Sequence, residues 1–110
     1  MNKTALVIQD ADCDQSNFKS FLADRNITPD VYSSGGSALA AFKSTRYRYV
    51  FVSMDIQRED PLQIISHLRL AEEKLGLPPT LILVSGQLRQ PSQSELKKFK
   101  ISGVIRSHRT

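Results

Sequence analysis

The sequence predicts an α/β fold built on a doubly wound parallel sheet, and two observations carry that expectation. Three short runs, Thr4 to Ile8, Tyr49 to Met54 and Thr80 to Val84, are almost wholly apolar, with the length and composition of strands buried on both faces. The stretches between them show helical spacing, so β and α segments alternate along the chain, as a sheet with helices on both faces requires.

The elements follow in order. Between the first two runs, Asp12 to Arg25 reads as a helix, with Asp12 as its cap, Gln15 at the return position of a capping box, and Phe18, Phe21 and Leu22 on one apolar stripe. Ile27 to Ser33 follows as a weaker strand whose Pro29 is tolerated mainly at a sheet edge. Ser34 to Ser37, carrying Gly35 and Gly36, reads as a turn, and Ala38, Leu39, Ala41 and Phe42 form a short second helix.

Past the strand that ends at Met54 comes a polar loop, Asp55 to Asp60, and then a helix opened by Pro61, a residue suited to a first helical position. Its buried face is expected from Leu62, Ile65, Leu68 and Leu75, and Gly76, Pro78 and Pro79 end it. A fourth helix is expected over Pro91 to Lys100 and a last strand over Gly103 to Arg106. The order βαβαβαβαβ, with right-handed crossovers, leads to a flavodoxin-like sheet of strand order 2-1-3-4-5. No repeat, low-complexity tract or linker interrupts it, so residues 1–110 are expected to be one domain.

Composition excludes several classes. A hydrophobic fraction of 40 % and a charged fraction of 24 % over 110 residues suit a folded domain with one core. The single Cys13 excludes an internal disulfide, and His67 and His108 lie too far apart in sequence for a zinc-ligand cluster, so a reducing, cytoplasmic setting is expected. The apolar run at Ala5 to Ile8 is too short for a signal-peptide core or a membrane span, which leaves room only for this being the cytosolic part of a membrane-bound parent. The net charge of +4 falls in two clusters, Arg46 and Arg48 around Tyr47, and Lys97, Lys98, Lys100, Arg106 and Arg109. These read as solvated faces rather than a nucleic-acid footprint.

In a sheet of this order, ligands gather at the carboxyl ends of the strands near the switch point between the first and third. Asp10, Asp55 and Ser85 stand there by position. Two carboxylates and a hydroxyl suit Mg²⁺ together with a phosphoryl group, and a carboxylate so placed can act as a nucleophile toward phosphorus. On residue types alone, Asp10 and Asp55 serve equally well as loop-starting or capping residues.

A family resemblance weighs more than the spacing. The run Tyr49-Val50-Phe51-Val52-Ser53-Met54-Asp55-Ile56-Gln57 closely resembles the third-strand motif of response-regulator receiver domains, especially those of hybrid histidine kinases. Ala5 to Asp10 resembles their first strand with its acidic end, Ser33 to Leu39 the turn into the second helix, and Leu81 to Gly86 the fourth strand ending in its hydroxyl residue. The resemblance covers almost the whole chain, from Thr4 to about His108. It implies that Asp55 is the phosphoacceptor, that Asp10, Asp55 and the Gln57 carbonyl hold the metal, and that Ser85, beside the small Gly86, follows the phosphoryl group.

The departures are equally specific. Receivers end the first strand with two adjacent acids, and the first of these is Gln9 here, so Mg²⁺ should be held weakly. The lysine of the fifth strand is replaced by Ser107, flanked by Arg106 and His108, and the aromatic switch position falls at Val104. Arg58-Glu59-Asp60 replaces a longer, proline-containing loop. The chain stops at Thr110 without a fifth helix, so the domain is expected to come from a longer protein or to expose a sheet face for a partner to cover.

The leading reading is a degenerate receiver, or pseudo-receiver, of a two-component or phosphorelay system, acting mainly through protein contact with a histidine kinase, a phosphotransfer domain or other domains of its own protein. The isolated domain is not expected to be an enzyme, whatever the activity of a parent hybrid kinase. The alternative is a working receiver that takes a phosphoryl group from phosphohistidine onto Asp55 with Mg²⁺. A flavin- or nucleic-acid-binding domain on the same fold ranks last, because a flavin phosphate wants a first loop rich in Ser, Thr and Gly, whereas Asp10 to Asp14 carries three acids. The segment Ser66-His67-Leu68-Arg69 superficially resembles a phosphoacceptor histidine box but lacks its following acid, so His67 is read as a helix-surface residue.

Overall fold

Apolar strands and amphipathic helices assemble as their patterns require. The computed structural model describes residues 4–9, 21–45, 47–86 and 90–105. It shows β1 (Thr4–Ile8), a helix α1 described over residues 21–24, β2 (Thr28–Tyr32), α2 (Gly35–Ser44), β3 (Tyr49–Ser53), α3 (Pro61–Leu75), β4 (Leu81–Ser85), α4 (Gln93–Lys98) and β5 (Gly103–Val104). All neighbouring strands are parallel, in the order 2-1-3-4-5. The expected fold is the observed one.

Strand alternation divides the core into two layers. Leu6, Ile8, Val50, Val52, Ile82 and Val84 pack with α2 and α3 through Ala38, Phe42, Ile65 and Leu68. On the other face Ala5, Val7 and Phe51 meet Leu22 and Ile27, with the Phe21 ring edge-on to Phe51 at 5.4 Å. Burial on both faces explains why β1, β3 and β4 read as continuous aliphatic runs. Pro29 lies in β2, an edge strand, as a residue without an N–H should.

The helix ends differ in detail from the sequence expectation. α2 starts inside the supposed turn: Ser34 is the cap, its Oγ accepting from the Ser37 N–H at 3.1 Å, and Gly35 and Gly36 already belong to the helix. α3 begins as expected at Pro61, with Asp60 as cap accepting from the Leu62 N–H at 3.0 Å, and ends at Gly76, whose φ of 66° is left-handed. Leu75 does not belong to its buried face. The inward positions of the last turns go to Ala71 and Glu72, and Leu75 is 51 % exposed.

α4 is shorter than Pro91 to Lys100, because a capping box fixes its start: Glu95 N–H donates to Ser92 Oγ at 3.1 Å and Ser92 N–H donates to Glu95 Oε1 at 2.8 Å. Lys100 then turns the chain with a φ of 53°. β5 closes after Val104, short of the expected Arg106, which lies outside the described residues together with Ser107 and His108. No described helix is long and apolar enough to cross a membrane.

Candidate functional site

The parallel register brings the carboxyl ends of β1, β3 and β4 level. Ile8 pairs with Val52, and Ser53 pairs with Ser85. Two further backbone bonds extend this edge, Met54 N–H to the Ser85 carbonyl at 2.7 Å and Gln9 N–H to the Tyr32 carbonyl at 3.0 Å. By strand alternation Gln9, Ser53 and Ser85 follow Val7, Phe51 and Leu83 onto one face of the sheet, and all three side chains are buried.

Asp55 sits half-buried on the turn that leaves β3, its N–H donating to Ser53 Oγ at 3.2 Å. Met54 and Ile56 on either side point into the core and fix the turn, while Gln57 and the residues to Asp60 are exposed. Gly86 continues β4 past Ser85, and its carbonyl accepts from the Gln90 side-chain amide. The structure therefore gathers Asp55, Gln57, Ser85 and Gly86 around one edge, with Gln9 beside them. Val104, the expected aromatic switch position, is paired with Val84 and packs half-buried against the α2 and α3 layer. Asp10 and Ser107, the expected metal ligand and the substituted lysine position, lie outside the described residues, as does Cys13.

Gln9 is the most informative of these residues. It is 2 % exposed, and its Nε2 finds no hydrogen-bond partner among the described residues. An orphaned N–H donor of this kind costs about 1–3 kcal/mol. It cannot ligate a cation. Among the described residues no group of three or more His, Cys, Asp or Glu side chains forms a metal cluster, and Asp10, the expected second carboxylate, lies outside them.

Two contacts were not legible as such in the sequence. The loop after Asp55 is tied to α2, because Glu59 Oε2 accepts from the Gly35 N–H at 2.8 Å. At the opposite end of the sheet Arg69 of α3 pairs with the buried Glu72 at 2.9 Å. Glu72 occupies the inward stripe of α3 along with Leu68, and a charge on such a stripe with an Arg three residues before it is a signal for a buried pair. His67 is exposed on α3, as expected for a surface histidine.

The sequence matches no protein-family model and no curated protein. The fold does match solved structures. A mutant receiver domain of the histidine kinase CKI1 from Arabidopsis thaliana superposes with a TM-score of 0.77 at 16 % identity, covering 94 % of this chain and 80 % of that one. A CheY-like response regulator receiver domain from Methylobacillus flagellatus gives 0.74 at 18 % identity over 100 % and 90 % of the two chains. The receiver domain of Ssk1 from Saccharomyces cerevisiae, crystallised with the histidine phosphotransfer protein Ypd1, gives 0.72 at 14 % identity over 96 % and 78 %. At these identities the likeness is one of architecture, and the chain has the receiver-domain fold of two-component response regulators.

Proposed function

We propose that this domain is a receiver-like signalling module with a degenerate phosphorylation pocket, whose output runs mainly through protein contact. The observation that carries this reading is Gln9. Where the resemblance calls for an acid, a buried neutral amide presents an unpaired N–H donor, so the pocket loses a negative charge that would attract Mg²⁺. Val104 supports the same reading, since a valine has no ring to rotate when the pocket changes state. Its partners would be a histidine kinase, a phosphotransfer domain or other domains of the same protein. The seating of Ypd1 on the Ssk1 receiver is a precedent on this fold.

The test is to incubate the protein with acetyl phosphate, and separately with beryllofluoride, in the presence of Mg²⁺. Unchanged intact mass and unmoved amide signals around Asp55 are the expected result. Stoichiometric modification would overturn the reading.

A second reading is favoured by the placement of Asp55 two residues beyond Ser53, which pairs with Ser85. In a working receiver an Asp55 carboxylate oxygen attacks the phosphorus of a phosphohistidine, the O–P bond forms as the N–P bond breaks, and the imidazole nitrogen leaves with its electron pair and takes up a proton. Ser85 would donate to a phosphoryl oxygen. An Asp55→Asn variant that signals normally in cells counts against this second reading.

A further inference from the structure

Arg69 organises a surface at the end of the sheet remote from Asp55. Its Nη1 donates to Glu72 Oε1 and to the Thr80 carbonyl, both at 2.9 Å, its Nε to the Phe99 carbonyl at 3.4 Å, and its Nη2 to the Lys100 carbonyl. Glu72 completes the unit by accepting from the Thr80 N–H. One guanidinium thus clamps the lead-in to β4 and the turn between α4 and β5 against α3. A groove of about 640 Å³ lies between these pieces.

The groove has two kinds of lining. Leu77, Pro79, Leu81 and Phe99 give it an apolar side, and Leu81 is 47 % exposed, a large aliphatic left half uncovered. Lys98 and Lys100, both exposed, line it as well, with the Lys98 ammonium over the Phe99 ring, 5.5 Å from its centroid. The left-handed backbone at Lys100 holds that turn tight. Arg69 and Glu72 neutralise one another, so the exposed charges along the groove are these two lysines against Glu73. An apolar slot beside paired cations complements an apolar anchor flanked by acids.

We propose that this groove docks an acidic segment of a partner protein, seated by one aliphatic side chain against Leu81 and Phe99. The inference rests on the reading of the domain as a protein-contact module and names the surface for it. The floor is fixed before binding by the Arg69 hydrogen bonds, so little ordering is left to do when the segment arrives. Nucleic acid fits less well, because it calls for a row of cations along a phosphate backbone rather than two lysines beside an apolar slot.

The experiment titrates the isotope-labelled full chain with a nine-residue peptide, one leucine flanked by four glutamates on each side, and follows backbone amides. Saturable shifts at Leu81, Phe99, Lys100 and Ser102, with a dissociation constant of about 100 μM or tighter, are expected. Exchanging both exposed lysines, Lys98→Glu with Lys100→Glu, should weaken binding at least about tenfold. A peptide with serine in place of leucine should also bind at least about tenfold more weakly. The proposal is overturned if shifts do not saturate at about 1 mM peptide, if a lysine-flanked peptide binds equally well, or if a DNA duplex shifts the same amides more strongly. A failure here leaves the acetyl phosphate result untouched, whereas modification at Asp55 would remove the degenerate reading and leave the groove standing.

Discussion

Glu59, in the loop that leaves β3, holds the backbone N–H of Gly35 at the head of α2 at 2.8 Å, across 24 residues of chain. A Cβ at Gly35 would lie 2.7 Å from Glu59 Oε1 and 2.9 Å from Ile64 Cγ1, so a larger residue there requires these side chains to shift. The short loop that carries Asp55 is thereby fastened to a neighbouring helix.

Gly35→Ala should cost about 1–3 kcal/mol by crowding, and Glu59→Ala about 1 kcal/mol by leaving a helix N–H to water. Combined, the two should cost less than their sum, since removing Glu59 relieves one of the two clashes and leaves the Ile64 clash in place. Urea unfolding of the three variants decides it, and strict additivity would show that the two residues do not touch in solution.

Arg69→Ala should be far more damaging than a surface charge deletion. It leaves the carboxyl group of Glu72, 5 % exposed, without its cation and strips three carbonyls of a donor, for a loss of about 3–5 kcal/mol. Arg69→Lys should recover little, because an ammonium cannot span the spread of acceptors that the guanidinium reaches. A loss under about 1 kcal/mol for Arg69→Ala in urea unfolding would mean the clamp is not formed.

Tyr47 gives the domain a pH dependence on the alkaline side. Burial raises its hydroxyl well above the ordinary 10.0, and the hydrogen bond to Asp30 and the Asp30 charge add to the rise. The folded protein therefore keeps a proton that the unfolded chain releases, so the contribution is complete below pH 10.0 and is lost as pH climbs above it. Stability measured from neutral pH to beyond that point should fall more steeply for the native protein than for Tyr47→Phe, and parallel curves would refute the assignment.

Gln9→Met should stabilise the domain by about 1 kcal/mol, because it replaces an unpaired buried amide by an apolar chain of similar size. Destabilisation in urea would show that Nε2 has a partner in solution. Gln9→Asp is the complementary variant: restoring a carboxylate at the end of β1 should tighten Mg²⁺ binding at least about tenfold by calorimetry.

The sheet was legible because burial on both faces leaves a continuous aliphatic run that no helix of this length shares. Tyr49 to Met54 and Thr80 to Val84 each missed by a residue at their ends, where chain direction rather than composition sets the boundary. Asp55 and Ser85 lie at the carboxyl ends of their strands for the same reason, Ser85 as the last residue of β4 and Asp55 two residues past β3. Helix ends were harder. The Ser92 to Glu95 capping box was written in the sequence and outweighed by Pro91, and Ser34 was passed over in favour of the glycines that follow it. Leu75 shows the limit of periodicity, which marks a face without saying where the layer beneath it stops. The Gly35 to Glu59 contact left no sequence signal, because it depends on a loop meeting the start of a distant helix in space.

Pro29 acquires a meaning beyond its place in β2. A parallel sheet with a free margin invites the same margin of another molecule to continue it, and chains that do so stack into aggregates. Here the margin carries a residue without a donor, beside Asp30, whose carboxylate is held by Tyr47 and Tyr32. A visiting strand would find a gap in the ladder and a charge next to it. Self-assembly through that border is thereby discouraged.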